Sequence, residues 1–361
     1  MNMTFADQLD AAARWPLFEP VIGRLTTDSV QLFGAPTVRL TPVAYHERPF
    51  SHLLRVAVSR DRSTAVDRHV YIKIFKPKPD YGLEQMRQRV VHDFDVSRRI
   101  FDALCEQTGA AATVRPLACY VDHLAVVSEE AVGATLLAHL EAHARWFPAP
   151  GSLRTTTALL EAVGRWLRAF QSIEPGPSRV SLDAVRAYID VRLQRLVSHA
   201  VLTAAERDDL LRHLDVLAAR VSNGELREVL IHADLAPGNV LVSGARVIVL
   251  DFAMAQRGSE LHDLTRLYAQ LDVLRAKPQF RSAVVRALQD ALLRGFDQTL
   301  TPGRPLFRYY VLLHRINHIC TLSLSREGLL ASALSRRVRR LHRGWIAREL
   351  NTSLTTHGGV A

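Results

Sequence analysis

"LIHADLAPGNVLVSGARVIVLDFAMAQRG", residues 230–258, decides how the chain is read. His232, Asp234 and Asn239 share one short loop, a tight hairpin follows, and the hairpin closes on Asp251 at the end of the apolar run "VIVLD". A carboxylate at the end of such a run is costly to bury unless something pairs with it, and a bound cation is the plainest partner. Pro237 and Gly238 tighten the turn between Asp234 and Asn239, so both side chains can face one point. With Asp251 aimed at the same point, two carboxylates and an amide oxygen converge. That is hard-oxygen ligation of the kind that suits Mg²⁺ carried by a phosphate ligand. Asp234, left off the metal, can accept a proton from an attacking hydroxyl. Singly, these are ordinary turn and cap residues; it is their order, with a hairpin between Asn239 and Asp251, that argues for chemistry.

Outside this stretch the composition sets bounds. A chain of 361 residues, 48% of them apolar, can bury a large core and form two domains or lobes. "MNMTFADQLDAAARWPLF" reads as an amphipathic helix rather than a secretion signal, and no apolar run is long enough to span a bilayer, so a soluble, cytoplasmic protein is expected. Cys105, Cys119 and Cys320 form no C-x-x-C pair and read as reduced core cysteines. The formal charge is +10, yet Lys supplies only four of the 46 basic residues, a skew that points to codon usage rather than to nucleic-acid binding.

Residues 1–35 read as a partly helical lead-in. "TVRLTPVAY", "SHLLRVAVSR" and "HVYIKIFK" then read as strands, rich in β-branched and aromatic residues and separated by turns. A helix follows from about Gly82 to Leu104, and "LACYVDHLAVVSEE" gives two further short strands. Beyond it helices dominate, interrupted by the Pro/Gly-rich loops "WFPAPGS" and "EPGPS" and by the hairpin of the opening stretch. The expected architecture is α+β: a small antiparallel sheet with one main helix over residues 36–130, joined near Glu129–Gly133 to a larger helical part over 131–361.

H-x-D-x-x-x-x-N, then strand-turn-strand, then D-F resembles the catalytic core of the aminoglycoside phosphotransferase-like family, small-molecule kinases with a bilobal protein-kinase-like fold. "HADLAPGNVLV" is similar to that family's catalytic loop, with Ala233 where Gly is usual, and Asp251, Phe252, Ala255, Gly258, Asp263 and Leu264 match its D-F-x-x-A-x-x-G segment followed by D-L. The resemblance implies Asp234 as catalytic base, Asn239 and Asp251 as Mg²⁺ ligands, and His232 and Asp263 as supports of the loop.

A kinase-like small lobe should also supply a phosphate-binding Lys. Lys73 in "VYIKIF" fits, since it lies inside a strand, while Lys76 and Lys78 read as surface residues; a solvated edge-strand Lys is the alternative for Lys73. Its carboxylate partner should lie on the following helix, where Val90, Phe94, Phe101 and Leu104 form one stripe and Asp93 lies beside it. Asp93 is chosen over Glu84 and Asp95, with a plain helix-surface Asp as the alternative. The family usually has Glu there, one methylene longer. "AVVSEEAVGATL" resembles the family's linker, whose backbone groups near Glu129 to Val132 would read the adenine edge. "YHERPFSH", where a glycine-rich phosphate loop would stand, has no Gly, leaving Ser51 and neighbouring amides as substitutes. Tyr71 narrows the roof of the expected nucleotide pocket.

Three other signals are declined. His139/His143 and His314/His318 share a zinc-like spacing without a third ligand and read as helix-face histidines. "SRRVRRLHRGW", residues 335–345, reads as a solvated basic face, with nucleic acid or acidic lipid as the lesser alternatives.

The leading expectation is an enzyme that uses ATP and Mg²⁺ to phosphorylate a hydroxyl of a small molecule. A kinase-fold nucleotide-binding protein with little transfer activity is the runner-up, and a basic nucleic-acid-binding module ranks last. Residues 301–361 carry ten Arg against Glu327 and Glu349 only, so the acceptor is expected to be neutral or anionic, such as a sugar, alcohol or lipid headgroup, rather than an aminoglycoside. The sequence leaves the acceptor's identity and the oligomeric state open.

Overall fold

Alternation of side chains across a pleated strand builds the first part of the molecule. In the computed structural model, which describes residues 13–60, 65–77, 81–108, 113–324 and 329–357, the chain divides into two compact units. One takes Met1–Ala134 and Leu241–Ala255; the other takes Thr135–Val240 and Gln256 onward. The opening twelve residues of the expected N-terminal helix, and Lys78, Arg326 and Glu327, lie outside the described residues.

The first unit is an antiparallel sheet of β1 (Val38–Glu47), β2 (Ser51–Arg60), β3 (Arg68–Phe75), β4 (Pro116–Tyr120) and β5 (Ala125–Glu129), ordered β1-β2-β3-β5-β4. Val70, Ile72 and Ile74 of β3 join one core cluster with Leu54, Val56, Tyr120 and Val127. The lead-in covers this face. α1 (Trp15–Thr27) spaces Phe18, Val21, Ile22 and Leu25 on one helical stripe and buries all four there, while the short α2 (Ser29–Phe33) ends on Gly34 at φ 68°. Phe75 and Lys73 belong to the opposite face, where α3 (Leu83–Thr108) packs Met86 and Val90 against Phe75 and Val126.

The second unit opens with the short strand β6 (Ala134–Thr135) and α4 (Leu136–His143), whose N-terminus is capped by Thr135 Oγ1, accepting from the Ala138 N–H at 3.1 Å. α5 (Pro150–Ser172) follows, then β7 (Pro175–Arg179), α6 (Leu182–Ser198), α7 (Ala204–Ala218) and β8 (Arg227–Ile231). β9 (Val240–Ser243) and β10 (Arg246–Val249) form the hairpin that carries the chain into the first unit, and β11 (Gln256–Ser259) returns it to pair with β8. The remaining helices are α8 (His262–Val273), α9 (Ser282–Phe296), α10 (Pro305–Leu324) and α11 (Leu329–His357). α5 and α9 cross at Gly164 and Gly295, where a Cβ on either glycine would overlap backbone of the other helix. α10 is the central helix, buried on all sides through residues such as Tyr309, Tyr310, Leu312 and Ile316.

One sequence expectation needs revision. "EPGPS" is not a loop: β7 takes Pro175–Arg179 as the edge strand of the order β11-β8-β7, a position where Pro is tolerated because its missing N–H is not needed. His314 and His318 lie on the α10 helix, as expected, and make packing contacts: the buried His314 has Nε2 2.9 Å from the His262 carbonyl, and the part-buried His318 has Nδ1 3.0 Å from His342 Nε2. The basic helix presents the expected solvated face and buries the opposite one. Ser335, Val338, His342 and Ile346 recur at helical spacing and are buried, while Arg336, Arg337 and Arg340 stay outside. His342 meets Arg315, 1% exposed, whose charge is answered by Asp272 at 2.7 Å and by the Trp345 ring, with centroid 4.4 Å away. Burial and the Arg315 cation lower the His342 pKa to about 2, so this ring packs as a neutral group. Among the described residues no group of three or more His, Cys, Asp and Glu is arranged to hold a metal ion, and no helix is long and apolar enough to cross a membrane.

Leu25, fully buried between α1 and the sheet, tests whether the lead-in belongs to the core. Leu25→Ala should cost about 2–5 kcal/mol of unfolding free energy, read as a lower urea midpoint.

Candidate active site

Two charged clusters stand out, one in each unit. In the first, β3 carries Lys73 on the face covered by α3, and helical geometry brings Asp93 onto that face. Lys73 Nζ donates to Asp93 Oδ2 at 3.1 Å and to Asp251 Oδ1 at 2.8 Å, and it lies 4.6 Å from the centre of the Phe75 ring. Asp93 is 4% exposed, whereas the Asp251 side chain is 47% exposed. Burial pulls the Lys73 pKa down, but the two carboxylates outweigh it and the ammonium is held above its ordinary value. Burial raises the Asp93 carboxyl against the opposing pull of Lys73.

Asp251 reaches Lys73 because the segment after β10 lies along α3. His92 Nε2 is 3.0 Å from the Ala255 carbonyl, Arg89 Nη2 donates to Met254 Sδ at 3.3 Å, and Phe252 is buried. Asp251 itself takes φ 66°, a left-handed conformation that Asp tolerates better than most residues.

The second cluster is built on the loop after β8. The His232 N–H donates to Asp263 Oδ2 at 2.6 Å and the Ala233 N–H to Asp263 Oδ1 at 2.9 Å. Asp263 lies in the first turn of α8, is completely buried, and also meets His262 Nδ1 at 3.1 Å. Desolvation favours its protonated form, but the His262 contact and the His232 N–H prevail and hold the carboxyl below its ordinary value of 3.8. The Asp234 N–H donates to His232 Nδ1 at 3.2 Å, which fixes His232 as the tautomer protonated on Nε2. Asn239 Nδ2 donates to the Asp234 carbonyl at 3.0 Å and to Asp234 Oδ2 at 3.3 Å, so the amide oxygen of Asn239 points away from Asp234. With its nitrogen so engaged, Asn239 offers an oxygen to a hard cation, as does the half-exposed Asp251 carboxylate.

Ser51, 8% exposed at the start of β2, pairs with Phe75 and so lies on the sheet face that carries Lys73; the glycine-free turn before it exposes Phe50. The Glu129 N–H is spent on the Arg115 carbonyl at 2.9 Å and its side chain faces Arg68 and Arg115, while Val132 is 72% exposed. Lys76 pairs with Glu47 at 2.6 Å. One residue escaped the sequence reading: Arg266 donates from Nη2 to Asp234 Oδ1. Its three-residue spacing from Asp263 on α8, which places both on one helical face, was the available signal.

These arrangements can be set beside known proteins. A sequence model of the phosphotransferase enzyme family, APH, matches residues 82–306. The choline kinase of Cryptosporidium parvum Iowa II is similar in structure with a TM-score of 0.55, 12% identity, and coverage of 94% of this chain and 97% of its own. A choline/ethanolamine kinase family protein of Mesorhizobium loti gives 0.54, 14%, 93% and 98%. The ADP-bound aminoglycoside phosphotransferase APH(2'')-Ib gives 0.53, 12%, 90% and 96%. At such identities the likeness is one of fold, that of kinase-like small-molecule phosphotransferases. No curated protein matches the chain in sequence.

Two stability measurements probe the loop. Ala233 sits at φ 61°, where an L side chain costs roughly 1–2 kcal/mol and glycine costs nothing beyond about 0.5–1 kcal/mol of chain entropy. Ala233→Gly should therefore stabilise by about 0.5–1 kcal/mol in urea unfolding. Asp263 has a folded pKa below its unfolded one, so its contribution is complete above the ordinary carboxylate range and is lost as pH falls below about 4. Asp263→Asn should cost about 2–4 kcal/mol at pH 7 and measurably less at pH 3.

Proposed function

Because the chain belongs to the phosphotransferase enzyme family, whose model covers residues 82–306, we propose that it transfers the γ-phosphate of ATP to a hydroxyl of a small molecule, with Mg²⁺. The observation that carries this reading is Lys73 held between Asp93 and Asp251. Two carboxylates share one ammonium, and one of them, Asp251, is half-exposed. For stability alone, apolar packing would serve as well or better.

In this reading Lys73 holds the nucleotide phosphates and Asp93 orients Lys73. Asn239 and Asp251 would hold Mg²⁺, and the donor set supports that: one carboxylate and one amide oxygen, with remaining positions open to phosphate oxygens and water. When bound, the ion neutralises charge on the phosphates. Asp234 accepts the proton of the acceptor hydroxyl while its oxygen bonds to the γ-phosphorus; the bond from that phosphorus to the ADP oxygen breaks, and ADP leaves. The protein's share is positioning and charge neutralisation. The linker around Glu129–Val132 is assigned the adenine edge, with the contact falling on backbone beyond Glu129, whose own N–H is already bonded.

One observation favours a second reading, nucleotide binding with little transfer. The β1–β2 turn, Arg48 to Ser51, is closed by the Arg48 N–H on the Ser51 carbonyl at 2.9 Å and offers no glycine-rich cradle. The acceptor is proposed to be neutral or anionic, since Arg266 already answers the charge of Asp234.

Purified protein with Mg·ATP, screened for ADP release against sugars, polyols, amino alcohols, phosphorylated alcohols and aminoglycosides, tests the proposal. Acceptor-dependent ADP release is expected with a neutral or anionic compound; nucleotide binding with no release from any compound would favour the second reading. Asp234→Asn should lower turnover by about 10² to 10⁴ with nucleotide binding retained. Asp251→Ala should abolish the Mg²⁺-dependent part of ATP binding, measured by calorimetry with and without the ion.

A further inference from the structure

The Asp234 carboxylate is held from two sides, and only one of them lies in the loop motif. Asn239 Nδ2 reaches Oδ2 at 3.3 Å; Arg266 Nη2 donates to Oδ1. The Arg266 side chain is one-quarter exposed, and its Nε is buried with no partner among the described residues. An exposed ion pair would hold a side chain loosely. This one is anchored by its helix. Asp263, one turn earlier on α8, fixes the loop backbone through the His232 and Ala233 N–H groups. The same helix thus grips the loop twice, once by backbone and once by side chain.

A carboxylate has about four lone-pair positions. With one donor on each oxygen, the plane of the Asp234 carboxylate is set and a position on each oxygen stays open to a hydroxyl. We propose that Arg266 is a positioning residue that orients Asp234 for proton acceptance. The proposal rests on the assignment of Asp234 as the base. Burial first, then nearby charge that includes Arg266, lowers the pKa values of His314 and His318. Arg266 directs its charge at Asp234.

The test is steady-state turnover of Mg·ATP, with water as acceptor and with whichever compound the screen yields, alongside nucleotide affinity and melting temperature. Arg266→Ala should lower kcat by about 10 to 10² while KM for ATP stays within twofold, the range expected for a misaimed group. Arg266→Lys, which keeps the charge but loses the fork, should recover part of the loss. In an Asp234→Asn background, Arg266→Ala should cost nothing further, because it acts through that carboxylate. A kcat within threefold of wild type in Arg266→Ala, with Asp234→Asn inactive, would overturn the positioning role and leave the base assignment standing. Equal losses in the Ala and Lys variants with a lowered melting temperature would also overturn it, as a structural role. Wild-type turnover in Asp234→Asn, or a wild type that binds Mg·ATP without turning it over, would remove the base assignment and the positioning role together.

Discussion

A single buried carboxylate, Asp263, organises the loop after β8. Taking an ion out of water costs several kcal/mol, and the cost is offset only where hydrogen bonds replace the lost solvent. Here the replacements are two consecutive backbone N–H groups, His232 and Ala233, the adjacent His262 ring, and a place in the first turn of α8, where the helix dipole favours an anion. Turning two successive N–H groups onto one carboxylate dictates the local path of the chain. Ala233 is forced to φ 61°, and the residue after it, Asp234, emerges half-exposed. The strain at Ala233 is thus a consequence of the Asp263 contact, paid in conformational energy so that Asp234 faces outward.

Lys73 solves a different problem in the other unit. Its ammonium sits on a sheet face, against an aromatic ring and a nearly buried Asp93, where the low dielectric strengthens both the attraction and the penalty. The strand and the helix that carry the pair are both core elements, so the ammonium is presented with little freedom. Asp251 is the adaptable partner: it comes from a segment after β10, in a left-handed conformation, with nearly half its side chain in solvent. A rigid pair is thus joined by one half-exposed carboxylate on a separate segment.

Much of this could be read in the sequence where local rules decide. Alternation along "HVYIKIF" placed Lys73 in a strand, and the 3.6-residue stripe through Val90, Phe94, Phe101 and Leu104 singled out the carboxylate that now lies 3.1 Å from it. Features that depend on distant partners were not legible. α1 is amphipathic on its face, but nothing local says that its stripe covers the sheet. Pro175–Arg179 looks like a loop until β8 supplies a partner on one side only. Arg266 belongs to no motif, and only the packing of α8 against the loop gives it a role.

The distribution of charge ties these elements to the acceptor. Around Lys73, two carboxylates meet one ammonium, and Asp251 is the more exposed of the two. Around Asp234 the charge is balanced by Arg266, and burial lowers the pKa values of His314 and His318. The two clusters therefore differ in what they can attract. A cationic acceptor approaching Asp234 would meet a carboxylate already paired with a guanidinium, and would have to displace that partner or do without a counter-charge. A hydroxyl on a neutral or anionic compound needs only the lone pairs that Arg266 and Asn239 leave open. With Asp234 as the proposed base, the choice of acceptor would follow from the same contact that orients its carboxylate.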